Sequence, residues 1–251
     1  MAKPVNAQPT RPLGSRFKTE RPLGINPQTV EVAIERILPG GAGLAHAEGL
    51  TLFVADAAPG DRALVTINRV QGRSGFATIE ELLEPSTLRV SGVDPNQGRC
   101  GGCDFQHLTY EAQLAAKVEI IRDCLRRIAG IEPPAEIPIA PSPRQWGYRA
   151  RAEWQYDGDA RLIGWYERGT HRICEGSECA VLRPELQALL DDLRERMRAG
   201  RLPSGRSEIR AAVGDDRTTL FPPLTGEPER VLSVTVDDER YHFDASCFFQ
   251  A

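Results

Sequence analysis

The sequence has no run approaching the roughly 18 consecutive apolar residues that a membrane helix needs. Its N-terminus, MAKPVNAQPTRPLGSRFKTERPLG, also lacks the apolar stretch of a signal peptide. Those absences exclude a helical membrane protein and a secreted one, so a soluble, cytoplasmic protein with no membrane partner is expected. Net positive charge is missing as well: the chain carries −4, which excludes a uniformly basic nucleic-acid binder. Contact with RNA or DNA would have to come from local clusters. Residues 1–24 hold five basic side chains against one acidic, and residues 194–210 hold six arginines against two glutamates. A charge run alone is more often a solvated face than a site. Without a secretion signal, the six cysteines (Cys100, Cys103, Cys124, Cys174, Cys179, Cys247) do not read as a disulfide framework, and their spacing points to metal.

What is present is an ordinary globular composition: 251 residues, 41% hydrophobic and 26% charged, with 19 prolines and 23 glycines that favour many short elements. Residues 1–27 are polar and proline-rich and read as a flexible basic arm. Residues 28–88 hold runs with the strand period of two at 30–38, 50–55, 63–70 and 76–83, separated by Gly and Asp turns. These predict a small five-stranded antiparallel barrel whose closure removes exposed edges. Residues 89–132 form an irregular cysteine loop and a helix, on which Leu114, Val118, Ile121, Leu125 and Ile128 share one face. Five prolines between 131 and 143 link this part to an α+β domain within 133–251. There the strand period recurs at 147–156 and 160–167, and a helix opens at Pro184 with Leu186, Leu189, Leu190, Leu193 and Met197 on its inner side.

The chemistry-bearing segments read GRCGGCDFQH at 98–107 and CEGSECAVL at 174–182. Glycines between two cysteines allow a sharp turn that aims amides at bound sulfur, which suits a tetrathiolate zinc or an iron–sulfur cluster. A zinc ribbon would show two Cys-x-x-Cys knuckles, and the second pair here is wider. A redox Cys-x-x-Cys is the other reading, without the strand–motif–helix order that usually accompanies it. Phe53, Phe76, Phe105, Trp146, Tyr148, Trp154 and Trp165 are candidate stacking platforms, with core packing expected for Phe53, Trp154 and Trp165. Arg149 and Arg151, two apart on a strand, point to one face. Cys124 and Cys174 read as packed thiols, and Gln106 and His107 as hydrogen-bonding residues of the loop.

The run STLRVSGVDPNQGRCGGCDFQHLTYEAQLAAK (86–117) resembles the signature of the RNA (uracil-5-)-methyltransferase family, in its iron–sulfur branch acting on 23S ribosomal RNA. The resemblance implies a TRAM domain of the oligonucleotide-binding barrel type at 28–88 and a central domain around GYRARAEW and LIGWYERGTHRI. It implies a 4Fe-4S cluster held by Cys100, Cys103 and Cys179, with Asp94 standing where the family has its first cysteine. A carboxylate is a harder ligand than a thiolate, so three outcomes stay open: a labile cluster, a cluster to which Cys174 supplies the missing sulfur, or no cluster at all. Ribosomal RNA is the implied partner, met by Arg149, Arg151, Tyr148 and Phe105. Gln250 matches a residue that contacts S-adenosylmethionine. The family's cysteine nucleophile, its base and its glycine-rich loop belong to a Rossmann-like methyltransferase domain expected beyond Ala251. The chain is therefore expected to lack that domain, to be inactive alone, and to work beside a separate catalytic polypeptide or as part of a longer enzyme. A stand-alone RNA-binding module and a zinc-stabilised interaction protein are the rival readings.

Overall fold

The structure, a computed structural model, describes residues 28–91, 94–176, 178–223 and 231–247. The expected basic arm at 1–27 and Gln250 lie outside them. The first unit is a sheet of six strands: β1 (Gln28–Ala33), β2 (Arg36–Ile37), β3 (Gly43–Ala47), β4 (Leu50–Val54), β5 (Arg62–Gln71) and β6 (Ser74–Glu84), in the order β1-β5-β6-β4-β3-β2. The segment 28–37 bends at Ile34 and Glu35. It pairs with β5 through β1 and with β3 through β2, which closes the sheet on itself. Alternation sends Val32, Leu52, Val54, Val65 and Ile67 inward, where they form one core. A five-stranded, wholly antiparallel barrel was expected, and this needs correction. The bend splits the first strand in two, and β4 runs parallel to β6 because the connection between them passes through β5.

Helix α1 (Tyr110–Cys124) begins at Thr109, whose side chain accepts the amide of Ala112, and it runs into a π-type turn at Leu125–Ala129 that ends on Gly130. Its packing face differs from the expected stripe. Ala112, Ala116 and Ile120 meet Ile37, Ala58 and Leu108 under the barrel, whereas Ile121 is 46% exposed and Ile128 83% exposed. Small residues let the helix approach the barrel closely, and the bulkier stripe is turned away from it.

The second unit is a five-stranded antiparallel sheet, with β7 (Arg151–Asp157), β8 (Leu162–Tyr166), β9 (Ile173–Cys174), β10 (Arg206–Val213) and β11 (Thr218–Phe221) in the order β11-β10-β7-β8-β9. Helix α2 (Pro184–Arg198) covers it. Pro184 occupies the first turn, and Leu186, Leu190, Leu193 and Met197 pack on Trp154, Ile163, Ile209 and Leu220. A hairpin, β12 (Val231–Val236) with β13 (Glu239–Asp244), follows at the end of the described residues.

Candidate functional site

The cysteine loop is built from short local hydrogen bonds and then fastened to β8. The Asn96 amide and Nδ2 both donate to Asp94 Oδ1, at 2.8 and 2.9 Å, and the Cys100 amide donates to Asn96 O. Asn96 Nδ2 also donates to Glu178 O at 2.8 Å, tying the loop to the second cysteine segment. This close approach requires Gly176, since a Cβ there would lie 2.2 Å from the Asn96 amide group. Gly101 N donates to Tyr166 O and Arg168 N to Arg99 O, while Arg168 reaches back to Cys103 O and the Asp104 carboxylate. Two segments about seventy residues apart thus meet at one place.

There Asp94, Cys100, Cys103 and Cys179 line a single small cavity of about 20 Å³, together with Asn96, Gln106 and Arg149. Cys174, fully buried on β9 opposite Trp165, is not in its wall. Burial pushes the thiols of Cys100 and Cys179 up, and Cys103 up to about 11, with neighbouring thiolates and Asp94 adding to the effect. Backbone amides work the other way: Gly102 donates to Cys100, and Val181 and Leu182 to Cys179, while the charge of Arg149 favours the thiolates of Cys103 and Cys179. Three thiols and a carboxylate crowded in low dielectric become anionic together only if positive charge enters with them. Among the described residues no three His, Cys, Asp or Glu side chains are close enough to hold one metal ion.

The other candidates are distributed as follows. Phe105, Tyr148 and Arg149 line a groove beside the cysteine cavity, and Tyr148 is 50% exposed. Arg151 shares a second cleft with Arg149 and is held by structural contacts there: it donates to Ala245 O and Cys247 O and sits over the Phe243 ring. Burial, followed by the charge of Arg210, lowers its pKa, consistent with that enclosed position. Cys247 is exposed and lines a cleft with Arg151, Glu153 and Arg210. His107 is buried against Ala57 O at 2.9 Å, and burial lowers its pKa, so it braces the barrel against the loop. Trp154 is core, and Trp165 is partly buried beside it. Phe53 departs from expectation. It stacks on Phe76 at 5.3 Å on the outer face of β4 and β6, with Arg69 4.1 Å from the Phe76 ring centre. The alternation already contained this signal, since Leu52 and Val54 point inward on either side of Phe53.

The fold is thus a closed barrel joined through a cysteine loop to an α+β unit. The TRAM domain family matches residues 26–79. A 23S rRNA (uracil(1939)-C(5))-methyltransferase RlmD of Nitrosospira multiformis is 31% identical over 83% of this chain and 49% of its own length. Its counterpart in Bordetella parapertussis is 35% identical over 71% and 39%. An uncharacterised RNA methyltransferase of Thermosynechococcus vestitus is 32% identical over 66% and 38%. The crystal structure of Pyrococcus abyssi tRNA (uracil-54, C5)-methyltransferase in complex with S-adenosyl-L-homocysteine covers 87% of this chain and 61% of its own, with a TM-score of 0.62 and 22% identity. The chain belongs to the RNA (uracil-5-)-methyltransferase family and carries a TRAM domain in its N-terminal part.

The chain spans 38% to 50% of the length of the curated relatives it matches. The expectation that the protein lacks the methyltransferase domain is corrected here. Relatives align over as much as 89% of this chain, and the structural neighbour, which holds S-adenosyl-L-homocysteine, over 87%. The place where this sequence stops therefore does not tell which domains the protein has. No observation supports a separate catalytic polypeptide. Among the described residues no helix is long and apolar enough to cross a membrane.

Proposed function

We propose that the protein takes part in methylation of uridine at C5 in ribosomal RNA, with S-adenosylmethionine as methyl donor, and that the residues of this chain bind and position the RNA. The observation that supports this is the shared sequence of the barrel, cysteine loop and central unit with relatives named for that reaction. The methyl donor, when bound, supplies an electrophilic methyl group. What this chain supplies is the grip: cationic and aromatic side chains on one side of the cysteine loop, and a barrel of a type suited to oligonucleotides. Arg149, Tyr148 and Phe105 face the RNA in this reading, and Arg151 holds the residues that follow the β13 strand in place.

Asp94, Cys100, Cys103 and Cys179 would hold an iron–sulfur cluster. Their chemistry fits: thiols and one carboxylate share a cavity, and amides from Gly102, Val181 and Leu182 offset the charge on sulfur. Cys174 is left to packing. Bound there, the cluster would fasten the loop 94–103 to the segment around Cys179 and so fix the wall that carries Phe105 and Arg149.

The test is to incubate the protein with methyl-labelled S-adenosylmethionine and a 23S ribosomal RNA transcript and to measure 5-methyluridine. Label at a single uridine is expected. A protein that binds the transcript and leaves it unmethylated would reduce the reading to an RNA-binding module. For the cluster, iron and acid-labile sulfide are measured after anaerobic purification; stoichiometric zinc without sulfide would replace the cluster with a structural metal.

A further inference from the structure

Beside the cysteine cavity lies an open groove of about 500 Å³, within the range of sites that hold small ligands. One wall is the start of α1 and the loop before it; the other is the segment 142–149, which leads into β7. The two are pinned together where Ser142 N donates to the Tyr110 hydroxyl at 2.7 Å, so the groove is already formed. Three cations line it, Lys117, Arg144 and Arg149, and none makes an ion pair among the described residues. Asp104, the carboxylate in the lining, is neutralised by Arg168 at 2.9 Å. Trp146 and Tyr148 offer ring faces that stack on no other ring among the described residues, unlike the Phe53–Phe76 pair on the barrel.

The remaining feature is Gln106. It is 7% exposed and stands in the wall shared by the groove and the cysteine cavity, and its Nε2 has no hydrogen-bond partner. A buried amide donor without an acceptor is unfavourable, and where one persists a ligand is a natural source of the missing acceptor.

We propose that this groove is a subsite for one unpaired nucleotide of the RNA. Its base lies against Trp146, the Gln106 amide donates to an acceptor on the base edge, and Lys117, Arg144 and Arg149 contact the flanking phosphates. The chemistry selects an unpaired nucleotide because a base inside a duplex offers no face to a tryptophan, whereas a splayed one offers both face and edge. The proposal rests on the RNA-binding reading above and adds where, and in what form, the RNA is held.

The experiment follows tryptophan fluorescence of the full chain as an unstructured ten-nucleotide RNA is added at low salt, using uridine-rich and adenosine-rich versions. Quenching is expected in the wild type and is expected to be lost in Trp146→Phe but kept in Trp165→Phe, since Trp154 lies in the core and Trp165, partly buried, lines the neighbouring cavities and not this groove. Trp146→Ala is expected to weaken binding about 5- to 150-fold, the range for loss of one stacked base. Lys117→Ala with Arg144→Ala is expected to flatten the dependence of log affinity on log salt by about 1.4, at roughly 0.7 per phosphate contact for single strands. Gln106→Ala is expected to change the ratio of affinities for the two RNAs. If RNA binds and none of these variants alters affinity, salt slope or preference, the subsite is wrong while the RNA-binding reading stands. If the wild type binds no RNA, both fall. If the loss instead follows Arg69→Ala or Phe76→Ala alone, the barrel face holds the RNA and the groove does not.

Discussion

Three aspartates are buried among the described residues, Asp61, Asp94 and Asp157, and the surroundings of the first two differ. Asp61, at the turn before β5, is fully enclosed, and both of its oxygens are taken. The amides of Ala58 and Ser86 donate to it at 2.6 and 2.9 Å, and Arg89 grips it with Nε and Nη2, the shortest contact being 2.7 Å. Asp94, 8% exposed, receives hydrogen bonds from Asn96 and faces three thiols across a small cavity. The first carboxylate has its countercharge built in. The second has no guanidinium bonded to it, and the cavity it shares holds the cation Arg149 against three thiols that would add negative charge. A buried anion fully matched by the protein is a strut, and one facing further potential anions is a place where positive charge brought from outside would be stabilised.

The largest expected effect comes from breaking the first environment. Asp61→Asn leaves the Arg89 guanidinium, mostly buried, without its partner, and should cost about 3–5 kcal/mol of unfolding free energy in denaturant titration. A loss under about 1 kcal/mol would mean that water replaces the carboxylate and that Asp61 is no strut. The same pair has a pH signature. Burial alone would raise the Asp61 pKa, but the Arg89 hydrogen bond and the amides of Ser86 and Ala58 outweigh it, and the net shift is downward. A folded pKa below the unfolded one contributes stability above about pH 4 that is lost as pH falls through the folded value. The stability gap between wild type and Asp61→Asn should therefore be constant above about pH 5 and shrink below about pH 4. A gap that widens on acidification would reverse the sign of the argument.

At the second aspartate the expected effect is on composition rather than on stability. Asp94→Cys completes a four-thiol set and should raise both iron and sulfide in anaerobically purified protein, while Asp94→Ala should lower both. Unfolding free energy should move by less than about 2 kcal/mol in either variant, because no buried guanidinium is stranded. Equal metal content in all three proteins would make Asp94 a bystander. Cys174→Ala sharpens the point, since a packed thiol outside the cavity should leave iron and sulfide unchanged.

How much of this was legible in the sequence depended on whether the signal was local. Helix α2 was readable from Pro184 and the spacing of Leu186, Leu190, Leu193 and Met197, because one helix face and one sheet suffice to bury it. Helix α1 was readable as a helix, but its packing face was not. Periodicity reports where apolar residues fall, and close approach to the barrel instead selected Ala112 and Ala116 over Ile121 and Ile128. The cysteine segments stood out by composition, and the resemblance placed Asp94 beside them. The groove was hidden, because it forms where the start of α1 meets residues 142–149. A single glutamine such as Gln106 has no pattern to betray it; only its burial without a partner does. The extra strand of the barrel follows from a bend at Ile34 and Glu35 that alternation cannot show.

The smallest expected effect tests the contrast most finely. Asn96 is to Asp94 what Arg89 is to Asp61, the side chain that reaches the buried carboxylate, but it is neutral, and its second acceptor, Glu178 O, lies where water can replace it. Asn96→Ala removes two hydrogen bonds from Nδ2 and leaves the Asn96 amide on Asp94 Oδ1. Unfolding free energy should fall by about 1 kcal/mol, well short of the loss at Asp61. The consequence should appear instead in the hold between the two cysteine segments, as lower sulfide content or faster loss of iron to a chelator. Combined with Asp94→Ala, the stability cost should be less than the sum of the two single changes, because Asp94 and Asn96 share one contact. If Asn96→Ala alone costs as much as Asp61→Asn, the loop is held as rigidly as the barrel turn, and the distinction between a strut and a site waiting for positive charge does not hold.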